Sequence, residues 1–180
     1  ARRDAARACS ILGMYAPNGE YADLAAREAS MREYSARMVT RGPDGSGYHS
    51  RERWALAHER LAIMDPEHGK QPILYDDGKA AVCANGEIYN FRALQAKHGL
   101  GAGHTGSDSE VLLQLFQKMG TAMCNELNGI FGFVVCQENE DGSTTMVAAR
   151  DHAGIKPLYM GKGEGDSVWF ASELKALSDH

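Results

Sequence analysis

The chain is composed mostly of short apolar runs separated by turn residues. Cys9 to Tyr15 is the first such run, a strand pattern closed by Pro17-Asn18-Gly19. Over residues 21–39 the period changes. Leu24, Met31, Tyr34 and Met38 share one helical face and the other positions are charged or small, which predicts an amphipathic helix lying on a sheet. The glycines and proline of Arg41 to Gly47 exclude a helix or a central strand there and predict a structured loop. Trp54 to Ile63 reads as a strand interrupted by the charged trio His58-Glu59-Arg60. Ile73-Leu74-Tyr75 and Ala81 to Ala84 flank Asp76-Asp77-Gly78-Lys79, a hairpin signal.

Downstream, Phe91 to His98 is a short helix with Gly99 as its cap. Ser107-Asp108-Ser109-Glu110 has the form of a capping box. It leads into the helical face Val111, Leu112, Leu115, Phe116 and Met119, which Gly120 stops. Ile130 to Cys136 is nearly all apolar, as a strand buried on both faces would be. Asp141-Gly142 turns the chain back into Thr145 to Ala149. A further strand pair surrounds Gly161 to Gly165, and Ser172 is expected to cap a last helix through Leu177. Many strands in hairpin order with few helices predict an α+β fold of antiparallel sheets covered by helices.

The 180 residues, 43% hydrophobic, suffice for one domain with a core of its own. A net charge of -5 argues against nucleic acid or an anionic membrane as partner, and no apolar run approaches the length of a membrane-crossing helix. The basic residues 1–8 lack an apolar signal core. They read as an N-terminal extension, whether unprocessed, left from a transit peptide or added in cloning. Cys9, Cys83, Cys124 and Cys136 show neither CxxC nor metal spacing, which suggests a reducing, cytoplasmic-type compartment.

Single motifs carry little alone. Gly101 to Gly106 matches GxGxxG, but no strand precedes it as dinucleotide binding requires. His58-Glu59 lacks a second histidine at Ala62, which excludes a zinc-protease helix, and no metal is expected. Asn85-Gly86 is either a tight turn or a pair of donors aimed at one oxyanion. Arg60 is either a solvated strand position or a fork for a carboxylate. Asp108 suits the first turn of a helix whether or not it binds anything. Cys9 is either core or nucleophile.

Nine segments in order settle on one resemblance. They are Cys-Ser-Ile-Leu-Gly (9–13), Arg-Gly-Pro-Asp (41–44), Ala-His-Glu-Arg-Leu-Ala-Ile (57–63), Gln71-Pro72, Asn-Gly-Glu-Ile-Tyr-Asn (85–90), Thr-Gly-Ser-Asp-Ser-Glu (105–110), Leu-Asn-Gly-Ile-Phe-Gly-Phe (127–133), Arg-Asp-His-Ala-Gly-Ile-Lys-Pro-Leu-Tyr (150–159) and Ala-Ser-Glu-Leu-Lys-Ala-Leu (171–177). The chain from Cys9 to about Leu177 resembles the glutaminase domain of asparagine synthetases, which are class II, N-terminal-nucleophile (Ntn) glutamine amidotransferases. The resemblance implies a four-layer α-β-β-α sandwich of antiparallel sheets, the Ntn-hydrolase fold, over residues 9–180. It implies hydrolysis of L-glutamine through a Cys9 thioester, with the Cys9 α-amine as base. Asn85 and Gly86 would form the oxyanion hole. Arg60 would hold the α-carboxylate and Asp108 the α-ammonium, while Glu87 and the backbone of Leu61, Ala62, Ile63 and Met64 would complete the pocket.

By the same resemblance the domain needs no cofactor. Ammonia would pass to a C-terminal synthetase domain that uses ATP and magnesium on aspartate, and that domain is absent from these residues. A homodimer is left open. Thr40 stands where family members often carry histidine. The chief departure is the Ala8–Cys9 peptide bond, which makes the expected base an amide nitrogen. The expectation is therefore that activity requires Cys9 to become N-terminal; otherwise the same fold serves as a non-catalytic binding or assembly domain. A glutaminase domain feeding a different acceptor is a further alternative.

Overall fold

The computed structural model describes residues 8–18, 23–62 and 69–178. Within them β1 (Ser10–Tyr15), β2 (Gly45–Ser50), β3 (Trp54–Arg60), β8 (Tyr159–Lys162) and β9 (Val168–Ala171) form one antiparallel sheet, in the order β2-β3-β1-β9-β8. The strands β4 (Ile73–Tyr75), β5 (Ala80–Ile88), β6 (Gly129–Glu138) and β7 (Thr144–Arg150) form a second, in chain order. The helices are α1 (Leu24–Ala36), α2 (Phe91–His98) and α3 (Glu110–Met119). The whole is a mixed α+β arrangement of two antiparallel sheets, compatible with a sandwich.

Strand alternation divides the buried side chains into three clusters. Leu12, Met14, Ala55, Ala57 and Trp169 of the five-stranded sheet pack with Met31 and Tyr34 of α1. Val82, Ala84, Phe133 and Val135 of the four-stranded sheet pack with Leu94 of α2 and Leu112, Leu115 and Phe116 of α3. The opposite faces meet each other: Ile11, Trp54 and Leu56 against Ala81, Cys83, Val134 and Cys136. The sheets approach so closely at Gly13 that a Cβ there would lie 3.1 Å from Val134 Cγ1 and 3.3 Å from Leu56 Cδ2.

Most predicted elements are present, with instructive exceptions. The second half of the 41–47 loop is strand, since Gly45, Ser46 and Gly47 pair with Arg60, Glu59 and His58 at the sheet edge. The charged trio does not interrupt β3; all seven of its residues are buried. The capping box does not form. Helix α3 begins at Glu110, so Asp108 precedes the first turn, and the Ser107 hydroxyl accepts from the Ser109 N–H at 3.3 Å. Glu110 instead accepts from the backbone N–H groups of His104 (2.7 Å) and Thr105 (2.8 Å) and from the Tyr75 hydroxyl (2.7 Å). The GxGxxG stretch is thus wrapped around a carboxylate. Ser172 does not cap a helix. Its hydroxyl accepts from the Ile11 N–H at 3.0 Å, extending the β1–β9 pairing, and residues Leu174–Leu177 form a 3₁₀ turn.

The buried charges of the trio have partners. Glu59 accepts from Ser35 of α1 (2.6 Å) and Ser46 of β2 (2.5 Å), tying helix, edge strand and β3 together. Across from it, the buried Arg27 of α1 donates to the carbonyls of Arg51 and Glu52 at the β2–β3 turn. His58 lies between the sheets, with Nε2 on the Ala84 carbonyl at 3.3 Å. Burial there holds its pKa down at about 4, against an ordinary 6.5, and the Arg60 charge adds to the effect.

Two outcomes follow from these groups. Glu59→Ala strands the buried Ser35 hydroxyl and leaves the exposed Ser46 hydroxyl to water, and is expected to lower unfolding free energy by roughly 1–3 kcal/mol, with Glu59→Gln milder. Equal, negligible losses in urea denaturation of both variants would count against this role. His58 is neutral in the fold and binds its proton more readily when unfolded. Its contribution is therefore complete above pH 6.5 and is lost as the pH falls towards 4. Between pH 7 and 4.5 the wild type should lose about 2 kcal/mol more than His58→Asn; identical losses would show that His58 does not titrate this way.

Candidate active site

Alternation along the strands gathers the polar residues at one end of the inter-sheet space. Cys9 has the parity of Ile11, His58 and Arg60 that of Leu56, and Asn85 that of Cys83, so all four point between the sheets. There they line one cleft with Leu61, Gly86, Glu87 and Asp108. Of the residues predicted from sequence, Ala62 stands off the cleft wall, its N–H donated to Asp44 Oδ2 at 2.9 Å. Ile63 and Met64 lie outside the described residues.

The Cys9 thiol is held against the backbone of Leu61. Its S–H donates to the Leu61 carbonyl at 3.5 Å and its sulfur accepts from the Leu61 N–H at 3.4 Å. Burial pushes the thiol pKa up. The Leu61 N–H and the Arg60 and Lys156 charges pull the other way without overcoming it. The preceding peptide is fixed as well: the Ala8 N–H donates to the Arg41 carbonyl at 3.0 Å, and Arg41 Nε donates to the Cys9 carbonyl at 3.4 Å. Arg41 in turn pairs with Glu173 at 3.5 Å. Ala8 is buried and forms part of the cleft wall.

Asn85 is buried, and its Nδ2 has no hydrogen-bond partner among the described residues. A buried donor left unpaired costs free energy, so its presence in a cleft points to an acceptor supplied from outside. The next residue, Gly86, has φ +137°, and a Cβ there would run into the Ile130 carbonyl; no other residue fits. Phe131, opposite Gly86, turns its own N–H and C=O to Asp151 (3.2 and 2.8 Å). Asp108 accepts from the Ile88 N–H at 2.6 Å. Its pKa is raised, chiefly by burial and further by Glu87, against hydrogen bonds from the Ile88 and Ser109 N–H groups.

Sequence reasoning missed four contributors. His58 and Lys156 line the cleft, while Arg41 and Asp44 fix the backbone on either side of it. All four lie inside the quoted motifs, but only the folded register shows which of a motif's residues turn inward.

The arrangement sets a thiol, a donor without a partner among the described residues, a cation and a carboxylate around a small opening, groups chemically complementary to an amino-acid amide. The sequence profile of a family described as "Glutamine amidotransferase domain" matches residues 8–180. A glutamine-hydrolyzing asparagine synthetase 2 of Arabidopsis thaliana is 45% identical over 169 residues, 94% of this chain and 29% of that protein. The glutamine-hydrolyzing asparagine synthetase of Zea mays is 46% identical over 154 residues, 86% and 26% respectively, and that of Sandersonia aurantiaca 42% over 172, 94% and 32%. The chain spans less than a third of the length of these relatives. Since the profile covers nearly all of it, the chain belongs to the glutamine amidotransferase domain family.

Proposed function

We propose that this domain hydrolyses glutamine at Cys9 and feeds the ammonia to a synthetase domain making asparagine, within an Ntn-hydrolase fold of four layers, α-β-β-α. The layer order is supported by the three clusters, helix on sheet, sheet on sheet, sheet on helices. Acceptor and synthetase partner are inferred from the named relatives. ATP and magnesium would belong to the synthetase domain and no cofactor to this one. The four cysteines, all free, suit a reducing, cytoplasmic setting.

The observation that carries the reading is the unpaired Asn85 Nδ2 in the same cleft as the Cys9 thiol. Arg60 takes the α-carboxylate of glutamine and Asp108, with Glu87, its α-ammonium. This leaves the side-chain amide at the sulfur. The thiol proton passes to the free α-amine of Cys9 and the thiolate attacks the amide carbon. The oxyanion is held by Asn85 Nδ2–H and the Gly86 N–H. The amine returns the proton to the leaving nitrogen, ammonia departs and a thioester remains. Water, deprotonated by the same amine, attacks the thioester; the C–S bond breaks, and glutamate leaves as the thiol is restored.

An Ala8–Cys9 peptide bond denies the amine its role, and the burial of Ala8 in the cleft favours a second reading, a glutamine-binding domain without turnover. Glutamate release distinguishes them. The form beginning at Cys9 should turn over and lose activity on Cys9→Ala. A form that binds glutamine yet never exceeds the enzyme-free rate would defeat the hydrolytic proposal. In the active form, Asn85→Ala is expected to lower kcat by roughly 100- to 1000-fold with KM little changed. Arg60→Met should raise KM by roughly 10- to 100-fold. A reversed pattern, KM for Asn85 and kcat for Arg60, would overturn the assigned roles.

A further inference from the structure

One motif is left without a task by the chemistry above, the segment Arg150 to Tyr159. Its centre is a knot. The buried carboxylate of Asp151 accepts from the N–H groups of Phe131 (3.2 Å), Ile155 (3.0 Å) and Lys156 (3.2 Å). Burial raises its pKa, but these donors outweigh burial and hold it below the usual carboxylate range, so it is ionised and fixed at neutral pH. The knot anchors the loop after β7 onto β6 at Phe131, the residue opposite Gly86. Lys156 is thereby delivered to the wall of the cleft that holds Cys9.

The charges of the cleft leave this lysine unassigned. Arg60 answers the one carboxylate of glutamine, and Asp108 and Glu87 answer its one ammonium. Among the described residues Lys156 makes no ion pair and no side-chain hydrogen bond, although it is half-buried. An unpaired, partly desolvated ammonium beside a nucleophile is matched by an anion that appears during the reaction. The oxyanion already has Asn85 and Gly86. The sulfur has the Leu61 N–H and the charge of Arg60, which the substrate carboxylate would neutralise, while burial disfavours its ionisation.

We propose that Lys156, held in place by Asp151, is the counter-charge of the Cys9 thiolate. The assignment rests on Cys9 being the nucleophile but not on turnover, since thiolate formation is measurable without glutamine. The other groups around the sulfur are accounted for. From β3 come His58, neutral above about pH 4, and Arg60. From β5 come Cys83, whose thiol is raised far out of range by burial, and the exposed Glu87. Asp108 approaches from the segment before α3, and Arg41 reaches the Cys9 carbonyl.

The test is the pH profile of iodoacetamide alkylation of Cys9 in the full chain. Cys124, the other partly exposed thiol, is replaced by serine, and Cys9→Ser serves as the blank. Lys156→Met is expected to move the profile to higher pH and slow alkylation at pH 7 by roughly three- to ten-fold. Lys156→Arg should restore most of the rate, and Asp151→Asn should shift the profile in the direction of Lys156→Met. Lys156→Gln gives a second neutral variant, with thermal melting as the check on folding. Profiles for Lys156→Met and Lys156→Gln that superimpose on the parent would overturn the proposal. Such a result leaves the glutaminase reading standing, because that reading fails only if the Cys9-start form releases no glutamate.

Discussion

The cleft depends on one constraint: two sheets packed face to face with a shared parity. Between them a Cβ at Gly13 would press on the Val134 and Leu56 side chains, so the sheets pack closest where this glycine sits. Because side chains alternate every second residue, a one-residue slip of β3 against β1 would turn His58 and Arg60 onto the α1 side, away from Cys9. It would also put Glu59, whose partners are Ser35 and Ser46, into the apolar space between the sheets. The buried carboxylate is thus a register lock as well as a tie. It makes the wrong pairing expensive, and the surroundings of Cys9 depend on that without Cys9 touching Glu59.

Much of the fold was legible because period and turn chemistry agree locally. The β4–β5 hairpin, α2 with its Gly99 cap and the buried β6 are all marked by residues within a few positions of each other. The failures share a physical cause. A serine three residues before a glutamate looks like a cap only when the glutamate has nothing better to accept from. Here Glu110 is used by a loop that folds back onto it, so Gly103 must adopt φ +77° where a Cβ would overlap the carboxylate. Ser172 likewise has the look of a cap, but its neighbour across β1 is too far along the chain to be seen locally. Charge within a strand reads as exposure unless the distant hydroxyls that satisfy it are known.

The candidate site was legible for a different reason. Local chemistry left each of Cys9, Arg60, Asn85 and Asp108 with an ordinary structural explanation, and only their joint order along the chain suggested a site. The structure supplies what order cannot, namely a shared direction. Cys9, Arg60 and Asn85 enter from three strands and Asp108 from the turn before α3, yet they border one opening. The residues missed are those whose contribution is positional. Arg41 and Asp44 act through backbone groups of Cys9 and Ala62, and no pattern of side-chain types announces a hydrogen bond to a carbonyl 32 residues away or from an N–H 18 residues away.

A tension remains inside the cleft, and it shapes the chemistry. In the proposed reaction, shielding from water would strengthen the grip of Arg60 and Asp108 on a zwitterion and sharpen an oxyanion hole. The same shielding raises the pKa of Cys9 and favours the inert thiol. Opening the site would free the thiolate and weaken everything else. A local cation resolves this without admitting water, provided that its own desolvation is limited and its backbone cannot drift. Lys156 is only half-buried, and the Asp151 knot fixes its main chain to β6, the strand that also fixes Gly86. The proposed oxyanion hole and the proposed cation at the sulfur therefore rest on the same strand. On that proposal, a distortion of β6 at Phe131 would disturb both at once, coupling thiolate formation to oxyanion capture through a single residue that itself carries no chemistry.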